Sequence, residues 1–162
     1  MITLTSKIAL RRLDRHYKHL FLREFCKRLI RQWIEDIDLK IDETTIPIDE
    51  PPAGVYQAPK LTISDKKRML IAELVPVGTN IIGADWRVDM VGPYDKEVLV
   101  YWITGAPEIE KTDSNETGHA VTRLFKGADQ PGWYLIEDTK LGRARSLNKE
   151  LFIDLLEEVA NP

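Results

Sequence analysis

Sulfur chemistry is almost absent from this chain. Its 162 residues include one cysteine, Cys26, so no internal disulfide forms, and the staple-rich design of small secreted domains is excluded. No apolar run approaches the roughly 18 residues that cross a bilayer, and the opening Met1-Ile2-Thr3-Leu4-Thr5-Ser6 lacks the apolar core of a secretory leader. The expectation is a cytoplasmic protein with no membrane attachment.

The motifs of catalysis are missing as well. The nine glycines are scattered and form neither G-x-x-x-x-G-K-[ST] nor G-x-G-x-x-G, so no phosphate cradle and no nucleotide cofactor is predicted. No G-x-S-x-G elbow occurs, and Ser6, Ser64, Ser114 and Ser146 sit at turn or cap positions. His16, His19 and His119 have no carboxylate at a recognised ligand spacing and no cysteine pair to join them; no metal site is predicted. Cys26 lies on an apolar stripe beside Phe25 and Leu29, where a thiol behaves as a small hydrophobe.

What is present is an ordinary globular composition, 43% hydrophobic with all four tryptophans inside apolar segments, and a length suited to one domain around one core. The formal net charge of −3 conceals a segregated layout. From Lys7 to Arg31 nine basic residues face only Asp14 and Glu24, a local net of +7, and the rest of the chain carries −10. Such asymmetry points to an anionic partner for one part of the molecule.

Periodicity places these charges on structure. Phe21, Leu22, Phe25, Cys26, Leu29, Ile30, Trp33, Ile34 and Ile37 recur at helical spacing, and Leu10, Leu13, Tyr17 and Leu20 form an upstream stripe that does not stay in phase with them. A basic amphipathic helical segment is therefore predicted over 6–37, kinked or rotating near Leu20 and Phe21. Over 38–60, Pro47, Pro51, Pro52 and Pro59 among acidic residues predict an extended connection.

The run Met69 to Val75 predicts a strand covered on both faces. The alternation Trp86-Arg87-Val88-Asp89-Met90, the turn residues Gly92 to Lys96 and the run Val98 to Ile103 predict an antiparallel hairpin. A second hairpin is expected between 120–125 and 133–136, with a polar loop at 108–118. The stripe Leu147, Leu151, Phe152, Leu155, Leu156 and Val159 predicts a C-terminal helix over 146–160, capped by Ser146. The order defines an α+β, two-layer protein: a helical segment, an antiparallel sheet of four or five strands built from hairpins over 61–145, and a short closing helix.

The strongest binding signal is the cation set Arg11, Arg12, Arg15, Lys18, Arg23, Lys27, Arg28 and Arg31. That density neutralises several phosphates, arginine binds phosphate bidentately, and Tyr17 and His19 add rings that stack on unpaired bases, which favours RNA over DNA. Two other uses compete: docking on an acidic protein surface, and internal pairing with Glu35, Asp36, Asp38, Asp42 and Glu43. These features predict a non-catalytic binding or assembly subunit. The enzyme alternative is a small metal-dependent nuclease in which Asp138 and Lys140, at a strand end, act with Asp85, Asp89 or Asp95.

Overall fold

A computed structural model of the chain describes residues 23–51, 54–78, 83–112 and 119–162, with the backbone alone at 26, 27, 111, 112, 119 and 120. A π-helical segment, Phe25–Ile30, runs into helix α1, Arg31–Ile34. The strands follow as β1 (Leu39–Glu50), β2 (Gly54–Asp65), β3 (Leu70–Gly78), β4 (Trp86–Val91), β5 (Lys96–Trp102), β6 (Glu108–Thr112), β7 (His119–Arg123), β8 (Gly132–Asp138) and β9 (Arg143–Ser146), and helix α2, Lys149–Ala160, closes the chain.

Seven strands form one antiparallel sheet in the order β1-β2-β3-β4-β5-β8-β9, and β6 and β7 form a separate two-stranded ribbon. The protein is α+β. The helices cover one face, where Phe25, Ile30 and Ile34 and the α2 residues Leu151, Phe152, Leu155, Leu156 and Val159 pack on Leu74, Val88, Met90, Leu99 and Leu135. Phe25 stacks on Trp133 with ring centroids 3.9 Å apart, and Trp33 meets Phe152 at 5.4 Å. A second, smaller core fills the opposite face at β5 and β8, where Val100, Trp102, Tyr134 and Ile136 meet Ala106, Phe125 and Ala128 from the excursion between those strands. Apolar runs such as Trp133 to Ile136 lose their alternation here because both faces are covered.

Several junctions explain why the layers stay together. Asn148, not Ser146, caps α2: its side chain accepts the Leu151 N–H at 2.8 Å, and Ser146 belongs to β9. At the other end of α2, the Val159 carbonyl accepts the Tyr94 N–H in the β4–β5 turn. An added Cβ at Gly92 would stand 2.0 Å from that carbonyl oxygen, so only glycine permits the approach.

The β4–β5 hairpin forms as the alternation predicts, in the register Val88↔Leu99. Several expectations need correction. The segment 38–60 is no connection: it contributes β1 and most of β2, paired without interruption from Leu39↔Asp65 to Glu50↔Gly54. Pro47 and the acids of β1 are compatible with pairing because β1 is an edge strand, where charge discourages further strands, and Pro59 lies on β2 ahead of Leu61, where the pairing with β3 begins. The sheet consequently has seven strands instead of four or five.

The remaining corrections concern β3, β6, β7 and α2. The segment around 120–125 pairs with Glu108–Thr112, while β8 lies between β5 and β9; the apolar β8 needs cover on both faces, and β7, with Val121 59% exposed, gives it none. The polar stretch expected as a loop thus supplies β6, and residues 113–118 lie outside the described residues. β3 is buried on one face only. Finally, α2 begins at Lys149 and not at 146.

Candidate functional site

The described end of the cationic segment, from Arg23 onward, owes its orientation to its apolar side. With Phe25, Ile30 and Ile34 locked into the core, the helical geometry turns the intervening positions outward, and Arg23, Arg28 and Arg31 are exposed. Arg28 holds Glu24 one turn away at 3.3 Å. Arg31 reaches Glu43 on β1 at 3.6 Å, so for this one cation the internal pairing foreseen with the acidic band is present. Both pairs are solvent-exposed contacts that contribute little to stability. The acids Asp36 and Asp38 turn instead to Lys149 and Lys66. Arg11, Arg12, Arg15 and Lys18, with Tyr17, His16 and His19, lie outside the described residues, as do the side chains of Cys26, Lys27 and His119.

The carboxylates of the nuclease alternative each have a structural partner. Asp138 accepts the Leu141 N–H at 2.9 Å and closes the β8–β9 turn. Asp85 accepts the Ile103 N–H at 2.8 Å, and Asp95 accepts the Lys96 N–H at 2.7 Å in the β4–β5 turn. Asp89 is buried between Arg87 and Lys96. Lys140 is exposed in the β8–β9 turn.

Among the described residues, the one group of three or more potential ligand side chains that converges is Asp95, Glu97 and Glu158, with their carboxylate oxygens within 4.8 Å of one another. Asp138 is not in it. Sequence reasoning missed this cluster because Glu158 reaches the hairpin only through the docking of α2. Burial pushes the Glu97 carboxyl above its ordinary value, and Glu158, Asp95 and Glu137 add to the shift. The folded protein therefore binds this proton more tightly than the unfolded chain, so the associated stability is complete below the ordinary carboxylate pKa and is lost as pH rises through the raised one. Replacing Glu97 with Gln is expected to stabilise the protein at pH 7 by less than about 1 kcal/mol, because the site is partly solvated, seen as a higher urea midpoint, and to leave the midpoint nearly unchanged at pH 4. An equal gain at both pH values would show that the carboxylate's charge is not the cause.

A small cavity of about 70 Å³ lies where the β5–β6 connection crosses Trp102. Its Arg123 donates to the carbonyls of Thr104 and Ala106 at 3.2 and 2.7 Å and pairs with Glu108 at 3.0 Å, so its charge fastens the β6–β7 ribbon to the sheet. Among the described residues no helix is long and apolar enough to cross a membrane. Comparisons of the chain with protein-family models, with curated proteins and with solved structures found no match.

Proposed function

We propose that this chain is a non-catalytic binding or assembly subunit, acting in the cytoplasm, whose basic N-terminal segment holds the phosphate backbone of a nucleic acid, RNA in preference to DNA. The observation that carries the reading is the concentration of nine cations against two acids between Lys7 and Arg31. The burial of Phe25, Ile30 and Ile34 supports it, since the apolar side of the described part of the segment is occupied while Arg23, Arg28 and Arg31 are exposed, the last two in weak surface pairs that an anionic partner can displace. The nuclease alternative gains no comparable support, because Asp85, Asp89, Asp95 and Asp138 each serve a turn, an amide or an ion pair.

Phosphate contact has a quantitative signature. Affinity for single-stranded RNA is expected to fall linearly with salt on logarithmic axes, with a slope of about −0.7 per phosphate contact. Reversing Arg11, Arg12 and Arg15 to Glu should weaken binding to all sequences alike and flatten that slope. The urea midpoint should hold, because an exposed charge contributes typically less than about 1 kcal/mol. Absence of RNA and DNA binding at low salt, with loss of a co-purifying protein in the same variant, would move the segment to protein docking. Unfolding of the variant would make the cations internal partners of the acidic band.

A further inference from the structure

The outer face of the sheet, opposite the helices, carries a trough of about 460 Å³ lined by Lys40, Asp42, Thr62, Ser64, Arg68 and Leu70. Register assembles it from three strands. Lys40 stands opposite Ser64 and Asp42 opposite Thr62 across β1 and β2, while Ser64 stands opposite Leu70 on β3. The pairing then skips Ile71 to reach Ile63↔Ala72. This bulge turns Leu70 onto the outer face, and bulges re-aim side chains in this way beside functional sites.

The turn that follows β2 adds the second cation. Arg68 has φ 63° and, among the described residues with positive φ, is the one that is not glycine. Its conformation is fixed by the Arg68 N–H bond to the Asp65 carbonyl at 3.0 Å and by the Asp65 side chain, which accepts the Met69 N–H at 2.8 Å. A hairpin position of this kind ordinarily takes glycine or asparagine. An arginine kept there at a conformational cost is the kind of outlier that accompanies binding sites. Ser64 and Asp89 are the two buried polar residues among those described. Asp89 is taken up by Arg87 and Lys96, whereas Ser64 lies in the trough beside Lys40 and Arg68, two cations with no ion-pair partner among the described residues.

Chemistry and spacing select the ligand. The row of Lys40 and Ser64, with Arg68 next to it, presents two cations and a hydroxyl, which suits an oxyanion. The row of Asp42 and Thr62 lies two residues along, roughly 7 Å away at strand rise, and its carboxylate accepts from a hydroxyl. An α-amino acid carries its charged groups on neighbouring atoms, too close for the two rows. A phosphate and the hydroxyls of the sugar that bears it span them, with Leu70 left for the apolar edge of the ring. From this we infer that the trough binds a sugar phosphate, with the phosphate on Lys40, Ser64 and Arg68 and a sugar hydroxyl on Asp42. The inference stands apart from the helical segment's partner, whichever that is. Its ligand is either a free sugar phosphate or the phosphorylated end of an RNA strand.

The test is an amide NMR titration of the full chain with ribose 5-phosphate, inorganic phosphate and a short RNA bearing a 5′-phosphate. Ribose 5-phosphate is expected to shift residues 40–42, 62–64 and 68–70 saturably and to bind more tightly than inorganic phosphate. Arg68→Gly should cut its affinity at least about tenfold, the effect of losing one charge-assisted donor, without lowering Tm, because glycine suits that backbone. Asp42→Asn should erase the preference for ribose 5-phosphate over phosphate. If the RNA shifts the same residues at lower concentration, the strand end is the source; if ribose 5-phosphate is the tighter ligand, the free metabolite is. The inference is overturned if those segments do not respond, if Arg68→Gly binds as the parent does, or if inorganic phosphate binds as tightly as ribose 5-phosphate. Reversal of Arg11, Arg12 and Arg15 should leave these shifts unchanged, which separates failure here from failure of the helical reading.

Discussion

Truncating Phe152 to alanine is expected to destabilise the protein by about 3–5 kcal/mol, the cost of removing a large buried ring and leaving a cavity. The residue has no exposed surface and is part of the main core. Its ring meets Trp33 at 5.4 Å, so it joins three layers: α2, which carries it, the sheet beneath, and the end of the N-terminal helical segment. Domains have about 5–15 kcal/mol of stability in total, so a large fraction would be lost. The expected observation is a lower urea midpoint with an unchanged slope. Phe152→Leu, nearer in volume and leaving a smaller cavity, should cost clearly less than the alanine variant. If alanine and leucine had equal small effects, α2 would not be held by this contact.

The elements that local pattern encodes were legible in the sequence. Trp86, Val88 and Met90 alternate with polar residues and meet turn chemistry at Gly92, and the β4–β5 hairpin forms there. The stripe from Leu151 to Val159 gives α2, and the spacing of Phe25, Ile30 and Ile34 gives the buried side of the helical segment. Where neighbours decide, local pattern was insufficient. Pro47 and Pro59 suggest a broken strand only if every position must donate on both sides, and neither does: Pro47 is on the edge strand, and Pro59 precedes the stretch of β2 that pairs with β3. Trp133 to Ile136 does not reveal which strand lies beside it.

Sites divide in the same way. The cations of the helical segment are contiguous and therefore visible, but the pairing of Arg31 with Glu43 depends on β1 lying next to the helix. Lys40 is distant in sequence from Ser64 and Leu70 and meets them only through the pairing of β1 with β2, and a bulge in the β2–β3 hairpin sets Leu70 beside Ser64. The Lys66-Lys67-Arg68 run between two apolar stretches was the one available clue, and it shows neither the positive φ of Arg68 nor the bulge opposite Ser64.

The second large effect is expected at Asp89. Its carboxylate is almost fully buried on the outer face of β4. Oδ1 is 2.6 Å from Arg87 Nε, while Oδ2 is 3.0 Å from Arg87 Nη2 and 2.5 Å from Lys96 Nζ. The fork from Arg87 is bidentate, and the Arg87 side chain is itself only 17% exposed. Removing the acid strands that guanidinium in a place where little water can replace its partner, and Asp89→Ala is accordingly expected to cost about 3 kcal/mol, the low end of what breaking a buried pair costs. The partnership itself stabilises much less than that figure, because burying both charges had its own desolvation cost. The double variant Arg87→Met, Asp89→Leu should therefore recover most of the loss, and Lys96, half exposed, is free to turn to solvent. A double-mutant cycle on urea midpoints measures the coupling. A double variant as unstable as Asp89→Ala alone would mean that the acid, not the orphaned arginine, is what β4 requires. It would also restore interest in Asp89 as a group retained for chemistry.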